Sequence, residues 1–581
     1  MNKSSRPPES GCSTIVVGRH FSKSGRVLIG HNEDNGGPVV TSQYWVPAQT
    51  WRPGAKVRYE PDSAELARAP RTLGFWWCQT LVPGGTSWSD LFLNEAGVAV
   101  VSNSCNDTFE KNEPLSEGGI GYAVRRLAAE RARTAREAVD IAVRLASAYG
   151  YRDEGRTYTF ADSREAWQVF LLHGRRWCAR RVQDDEVVYT SNAFSLDSLE
   201  GVPPEDIRCS PDLLTHIPAE APDGEAGRPF SFRRRYQPAR RREAAWNFRR
   251  SARALEILGG IRCESPDDVP YAFRPTKRLS PEDLMLALAD HDAPQAQAGE
   301  RPAAHLHESM QDICNLGTFA SVVFELHSEP LRTRGWFAPG RPCSIPFIPF
   351  RPLAGPAPAC AFMTPEEALA AQFNPPADIF SRDAKWASAR STAWAFLDAQ
   401  DAAEWSGSLS VARAKRLAEV RGNDLEAPFV GRVIPPIDAL KRLNAMAWAD
   451  AAARMTAAAR EAAQIHVLCA EFKSGKLVLH ARAGGLNPDD IELSSIEAGI
   501  PWPTPDVEPQ PRVACEAFKR LTTPAAAGSE GSAGGSDAFE CIFPADAILK
   551  ALPLGQQVCW IRLCAQDRAY AGRILIERPE P

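Results

Sequence analysis

The stretch from Gly11 to Gly36, GCSTIVVGRHFSKSGRVLIGHNEDNG, constrains this chain more than any other. A cysteine near the start of the sequence is followed by a β-branched run, Thr14 to Val17. A turn at Ser24-Gly25 then leads back through Val27 to Ile29. Strand formers on both sides of a turn predict a hairpin. The return strand is read as ending in a charged, glycine-bounded loop, His31 to Asp34, which the hairpin places at the same end as Cys12. A thiol with imidazole, amide and carboxylate neighbours is a candidate nucleophile with a polar entourage.

A length of 581 residues is long for one compact core and predicts two or more domains. With 44% hydrophobic and 24% charged residues the composition is ordinary for a globular protein, and a net charge of -5 gives no general attraction to nucleic acid or anionic lipid. One basic cluster stands out: Arg233, Arg234, Arg235, Arg240, Arg241, Arg242, Arg249, Arg250 and Arg253. It is read as a solvated helix face ahead of a polyanion site. Met1 to Gly11 lacks the apolar core of a secretory signal, and no run of 18 apolar residues follows, so a cytoplasmic protein is expected, with no membrane partner. The 14 cysteines form no C-x-x-C pair, and most are read as small buried hydrophobes.

Along the chain, Tyr44 to Gly85 is rich in aromatics, and Asp90 to Asn103 reads as strand, turn at Asn94 to Gly97, and strand. Helical periodicity covers Gly119 to Tyr149, with a capping box at Thr134 to Glu137 and a stop at Gly150. Strands return at Thr157 to Ala161, Ala166 to Leu172, Trp177 to Val182 and Val187 to Tyr189. Leu199 to Gly227 reads as loop, Ala244 to Leu258 as helix, and Ala293 to Ala304 as linker. Strands follow at Ala320 to His327 and Gly335 to Ala338, then a proline-rich run from Pro339 to Pro358. Pro365 to Ala462 is alanine-rich and helical, and β texture resumes from Ile465, interrupted by a flexible tract at Pro524 to Asp537. Segregated strands and helices argue for α+β layers, and no phosphate-binding glycine loop follows any strand.

If the Gly11-Cys12 bond is cut, Cys12 supplies both nucleophile and base, because a free α-amine titrates at about 7.7 to 8.0. Gly11 has no side chain to hinder attack on its own carbonyl. More ordinary readings compete. Asn32 and Asp34 suit a turn, and Asn192 suits a cap for the Ser195 to Leu199 segment. His305 and His307 lack a patterned third metal ligand. Cys314 and Cys343 read as buried thiols without an activating partner.

Several motifs occur in a fixed order: Cys12-Ser13-Thr14, His31-Asn32-Glu33-Asp34, Asn94-Glu95-Ala96-Gly97-Val98, Pro114-Leu115 to Ile120, Glu130 to Ala138, Ala161-Asp162 with Glu165 to Trp167, and Thr190 to Ser195. Together they resemble the C69 dipeptidases, N-terminal nucleophile hydrolases related to penicillin V acylase and bile salt hydrolase, over about Cys12 to Pro358. The resemblance implies an αββα sandwich, loss of a short propeptide, and amide hydrolysis without a cofactor or metal. It puts the nucleophile on Cys12, the partner of the amine on Asp34, and oxyanion donors on Asn192 and Asn103. His31 stands where the family usually has arginine, and Arg249 or Arg250 corresponds to a downstream site arginine; all three are candidate substrate-binding residues.

The resulting expectation is an α+β protein: a four-layer αββα sandwich with a helical extension and a β-rich C-terminal domain. Its divisions are a propeptide at 1–11, a hydrolase domain at 12–358, a helical region at 359–464 and a β-rich domain at 465–581. The expected activity is cysteine-type dipeptidase, acting on a small peptide. Alternatives are an acylase of non-peptide amides, or a non-catalytic binding relative whose C-terminal domain carries the interaction. Homo-oligomerisation is left open.

Overall fold

The structure is a computed structural model. It describes residues 11–34, 40–81, 91–291, 312–315, 317–361, 363–373, 393–406, 409–431, 433–461, 465–473, 476–483, 491, 493, 496–499, 512–520, 538–544, 555–565 and 568–578. Most of the segment before Cys12, Gly36, the Ala293 to Ala304 linker, His305, His307 and the Pro524 to Asp537 tract lie outside the described residues.

The opening hairpin is β1 (Ser13–Val17) and β2 (Leu28–Asp34), followed by β3 (Val40–Val46). Two small ribbons come next, β4 (Gln49–Thr50) with β7 (Arg71–Thr72) and β5 (Lys56–Val57) with β6 (Leu66–Ala67). Strands β8 (Phe75–Leu81), β9 (Leu91–Asn94) and β10 (Ala99–Ser104) lead into helices α1 (Ala123–Arg131) and α2 (Ala135–Tyr149). Then come β11 (Tyr151–Ala161), β12 (Ala166–Gly174), β13 (Trp177–Val182), β14 (Val187–Thr190) and the short β15 (Ile207–Cys209). Helices α3 (Phe232–Tyr236), α4 (Ala239–Arg242), α5 (Ala245–Gly259) and α6 (Pro281–Leu288) precede β16 (Thr318–Glu325), β17 (Arg334–Ala338) and β18 (Ile348–Phe350). Helices α7 (Pro365–Ala370), α8 (Ala393–Ser406), α9 (Leu409–Glu426) and α10 (Ile437–Glu461) complete the middle of the chain. The remainder holds β19 (Ile465–Lys473), β20 (Lys476–Ala483), β21 (Glu497–Gly499), β22 (Arg512–Ala514), β23 (Ala517–Arg520), β24 (Ala538–Pro544), β25 (Gly555–Ala565) and β26 (Arg568–Arg578).

Two antiparallel sheets organise the site. One has the order β14-β1-β2-β16-β17-β18, the other β15-β13-β12-β11-β10-β9-β8-β3. Side chains alternate across each strand, so one face of the second sheet meets the first sheet and the other meets helices. Trp76, Cys78, Phe170 and Leu172 share a core with Ile15, Val17 and Phe324 of the first sheet. Their neighbours Phe75, Trp77, Trp167, Val169 and Leu171 share a second core with α1 and α2. Fully buried Trp76 packs on Phe324, Phe337 and Phe350 with ring centroids 5.5 to 6.0 Å away, tying the two sheets together. Helices α5 and α6 pack on the other side of the first sheet, against β14, β2 and β16.

Helix α2 realises half of its capping box: Thr134 Oγ1 accepts from the Glu137 amide, while Glu137 Oε2 accepts from the Arg133 amide and not from that of Thr134. At its C-terminus Gly150 adopts φ +81°, a left-handed conformation that favours glycine. Beyond Ile465 the chain forms two four-stranded antiparallel sheets, β19-β20-β24-β23 and β22-β21-β25-β26. Among the described residues no helix is long and apolar enough to cross a membrane.

Two expectations are corrected. His31 to Asp34 is not a loop: it is the second half of β2, buried throughout and flanked by β1 and β16, which satisfy its backbone. The arginine cluster is only partly a solvated face: Arg240, Arg249 and Arg253 are exposed, the others buried or half-buried. Arg235, Arg241 and Arg250 are buried, Arg233 pairs with Asp197, Arg234 and Arg235 with Glu225, and Arg253 with Asp290. Short helices and turns point the buried ones inward at carboxylates and carbonyls, which a count of charges along the sequence does not reveal. The proline-rich run contains β18, an edge strand, where a proline can sit without breaking a ladder of hydrogen bonds.

Candidate active site

Antiparallel pairing decides what surrounds Cys12. The N-terminal end of β1 lies beside the C-terminal ends of β2 and β14, while the N-terminal end of β16 abuts β2. The registers Ser13 with Asn32, Thr14 with Thr190, and Thr318 with Asp34 therefore gather distant segments at one end of the sheet. The facing sheet adds Asn103 from the end of β10, and α5 adds Arg250 and, one turn earlier, Asn247.

Cys12 is only 4% exposed, and its Sγ lies 3.9 Å from the Asp34 carbonyl oxygen. The Cys12 carbonyl accepts from Asn103 Nδ2 at 2.9 Å and from Arg250 Nη1 at 3.2 Å. Arg250 Nη1 also donates to the Gly11 carbonyl. Its Nη2 donates to Asn192 Oδ1 at 2.9 Å and to Asn247 Oδ1 at 3.2 Å. Arg250 is thus a fully buried clamp on both sides of the Gly11-Cys12 bond. A side chain at Gly11 would have to displace the Arg250 guanidinium, since a Cβ there would lie 2.7 Å from Arg250 Nη1.

Asp34 is buried behind the thiol. It accepts from Thr318 Oγ1 and from Asn315 Nδ2, each at 2.6 Å, and its Oδ2 lies 3.9 Å from Arg250 Nη1. Burial pushes its carboxyl up to about 7, against the opposing pull of Arg250 and the two hydrogen bonds. Asn32 and Asp34 are therefore not turn residues: Asn32 Nδ2 ties β2 to the Leu288 and Ile313 carbonyls. Nor does Asn192 cap the following segment, because its Nδ2 donates to the Ser104 carbonyl.

His31 sits on the inner face of β2. Its Nδ1 is 2.8 Å from Thr14 Oγ1, which in turn donates to Asn103 Oδ1 at 2.6 Å. Its Nε2 lies 3.4 Å from Glu33 Oε2. Of the two candidate arginines only Arg250 reaches the site. Arg249 points away to Asp312 at 3.3 Å with 43% of its side chain exposed, because adjacent helical residues face about 100° apart. Cys314 is buried at the far side of Asn315, and Cys343 is half-buried beside Ser344.

The sequence reading missed Thr14, Asn247, Asn315 and Thr318. Asn315 and Thr318 lie some 280 positions from Asp34 along the chain, and only the β2–β16 register brings them there. A cleft lined by Tyr189, Ser191, Phe194, Asn247, Phe248 and Ser251 adjoins the site. Tyr189 hydroxyl also meets Ser13 Oγ at 2.8 Å.

The family model described as peptidase family C69 matches residues 11–369, more than half the chain. The chain belongs to peptidase family C69. It is 26% identical over 291 residues to the probable dipeptidase A of Streptococcus pyogenes serotype M1, an alignment covering 48% of this chain and 61% of that protein. It is 25% identical over 296 residues to the probable dipeptidase B of Lactococcus lactis subsp. lactis strain IL1403, covering 49% and 61%. The dipeptidase of Bifidobacterium longum strain NCC 2705 is 24% identical over 341 residues, covering 52% and 63%. The C69 chain thus spans about three-fifths of the length of these curated relatives. Among solved structures, a mutant conjugated bile acid hydrolase from Clostridium perfringens matches with a TM-score of 0.19 and 13% identity over 31% of this chain and 51% of that one, too slight a likeness to carry an argument.

Proposed function

We propose that this C69 member is a cysteine-type dipeptidase that exposes Cys12 as its N-terminal residue by cleaving the bond after Gly11. The observation that carries the reading is the convergence of Cys12, Asp34, Asn103, Asn192 and Arg250 around that bond. In this reading residues 12–358 form the αββα hydrolase unit, its layers being α1 and α2, the two sheets, and α5 and α6. Residues 359–464 and 465–581 are its helical and β-rich extensions.

The chemistry follows from the donors. Arg250, held on the Gly11 carbonyl, stabilises charge on that oxygen while the Cys12 thiol attacks its carbon during self-cleavage. The Gly11-Cys12 C–N bond then breaks with the thiol proton passing to the amine, and water hydrolyses the resulting thioester to release the Gly11 acid and the free thiol. The freed α-amine then accepts the thiol proton, with Asp34 orienting its ammonium form. Cys12 thiolate attacks the scissile carbonyl of a dipeptide, and Asn192 and Asn103 amides hold the tetrahedral oxygen. The ammonium protonates the leaving nitrogen, and water, deprotonated by the same amine, cleaves the thioester to release the acid and regenerate the thiol. The curated relatives, named as dipeptidases, support the substrate class.

Intact-mass measurement tests this first. The purified chain is expected to lack Met1 to Gly11, whereas Cys12→Ala retains them and turns over no dipeptide. A wild-type chain still joined at Gly11-Cys12 sinks the mechanism. A panel of dipeptides set against acyl amides separates peptidase from acylase: faster hydrolysis of the amides overturns the substrate class and leaves the nucleophile in place.

A further inference from the structure

His31, Glu33 and Cys12 form a second constellation inside the same site. All three are buried, and the Cys12 sulfur, an imidazole nitrogen and a Glu33 carboxylate oxygen lie within 4.8 Å of one another. The hydrogen bonds fix the imidazole. Asn103 Nδ2 donates to the Cys12 and Thr190 carbonyls, so its Oδ1 is an acceptor. Thr14 spends its single hydroxyl proton on that Oδ1. The bond between Thr14 Oγ1 and His31 must then be donated by His31 Nδ1. In the neutral ring this leaves Nε2 as a bare lone pair, and Nε2 of the fully buried His31 has no hydrogen-bond partner. It looks across 3.4 Å at Glu33 Oε2. A lone pair facing a carboxylate at that range is repulsive unless a proton or a metal cation sits between them, and with the Cys12 sulfur beside both groups a metal has a third ligand.

We propose that Cys12, His31 and Glu33 bind a soft divalent cation of the zinc type, which silences the nucleophile while it is bound. The donor set is a thiolate, an imidazole and a carboxylate, the combination zinc takes. Bonds of about 2.0 to 2.3 Å in a tetrahedron place ligand atoms roughly 3.4 to 3.6 Å apart. The Nε2–Oε2 separation already has this length, and the sulfur, within 4.8 Å of both, has at most about 1.2 Å to close. Binding replaces the thiol proton: the S–H bond is lost, an S–metal bond forms, and a proton leaves to solvent. Resting on the proposed cleavage after Gly11, the freed Cys12 amine adds a fourth donor through a five-membered chelate ring of N, Cα, Cβ, S and metal. Nucleophile and base are then occupied together. An arginine in place of His31, the family's usual residue, offers no lone pair and places a fixed positive charge there instead.

The test uses the full-length mature protein stripped of metal with a chelator. Zn²⁺ alone, followed by equilibrium dialysis, is expected to bind at one ion per chain, to abolish dipeptide turnover in step with occupancy, and to be reversed by chelator. Co²⁺ alone is expected to give a thiolate-to-metal charge-transfer band that disappears in Cys12→Ser. His31→Arg, and independently the near-isosteric Glu33→Gln, are expected to weaken Zn²⁺ binding by more than about tenfold. No binding at micromolar Zn²⁺, a cobalt band that survives in Cys12→Ser, or unchanged affinity in both His31→Arg and Glu33→Gln would overturn the site. Inactivity of the metal-free mature chain on every dipeptide overturns the hydrolase reading instead, and the cobalt band still reports whether the three side chains bind.

Discussion

Asp34 and Gly11 are two single residues whose surroundings give measurable consequences. With the Gly11-Cys12 bond intact, the Asp34 carboxyl titrates at about 7, against 3.8 for the free side chain. Its folded value lies above its unfolded one, so its contribution to stability is fully present below about pH 4 and is lost as pH rises through 7. In the uncleaved Cys12→Ala background, the unfolding free energy relative to Cys12→Ala/Asp34→Asn is therefore expected to fall by on the order of 3 kcal/mol across that window. Denaturant titrations at several pH values check it; a difference that stays flat refutes the burial argument. At Gly11, a valine must displace the Arg250 guanidinium that holds the Gly11 carbonyl. Gly11→Val is expected to retain Met1 to Gly11 for longer than wild type, read by mass against time. The sequence singled out both residues, Gly11 as the unhindered partner of Cys12 and Asp34 through the resemblance of His31 to Asp34 to the C69 dipeptidases. The choice of Arg250 over Arg249 was not legible there, since it depends on the rotation of α5.

Among the elements, β2 and β16 show why part of the site was hidden. The polar run His31 to Asp34 violates the apolar pattern of a buried strand, so it read as loop. It stays in the sheet because groups from other segments meet much of its polarity: Thr14 for His31 Nδ1, the Leu288 and Ile313 carbonyls for Asn32 Nδ2, and Thr318 with Asn315 for Asp34. None of these pairings has a local sequence signal, because all follow from the register of strands far apart in the chain. Thr318→Val keeps the shape of the first residue of β16 and removes one donor from the Asp34 carboxylate. Losing a hydrogen bond to the charged form moves the Asp34 carboxyl further up. Turnover at neutral pH is expected to drop, with partial recovery at higher pH. The pH profile of kcat/KM checks this, and an unshifted acid limb excludes Asp34 as the group observed. Helix α2 offers a contrast that was readable locally: Thr134→Ala removes a cap and is expected to lower stability by about 1 kcal/mol without moving that profile.

For the molecule as a whole, the question is how the helical region after Pro358 joins the sheets. Composition alone gave an alanine-rich appendage. The structure instead sets Phe396, Trp448 and Met455 in the same core as Ile15 and Phe337, and polar locks hold α8, α9 and α10 on the β17–β18 side. Arg341 makes a two-pronged pair with Glu404, both bonds 2.7 Å long. Glu426 receives Arg334 at 2.8 Å and Arg351 at 2.9 Å. Asn444 accepts from the Arg351 amide and donates back to its carbonyl. Glu426 is almost wholly buried and compensates two cations, so its loss leaves Arg351 without its paired carboxylate and Arg334 with only the longer contact to Glu325 at 3.6 Å. Removing one partner of a buried pair typically costs about 3 to 5 kcal/mol. Glu426→Ala is accordingly expected to lower the unfolding temperature by several degrees. Because the helices and sheets share one core, the loss should appear in a single cooperative transition. Differential scanning calorimetry decides the point: an early, separate transition for the helical region, with the main one unmoved, would show that the helices are an independent unit and that the shared core does not couple them to the active-site sheets.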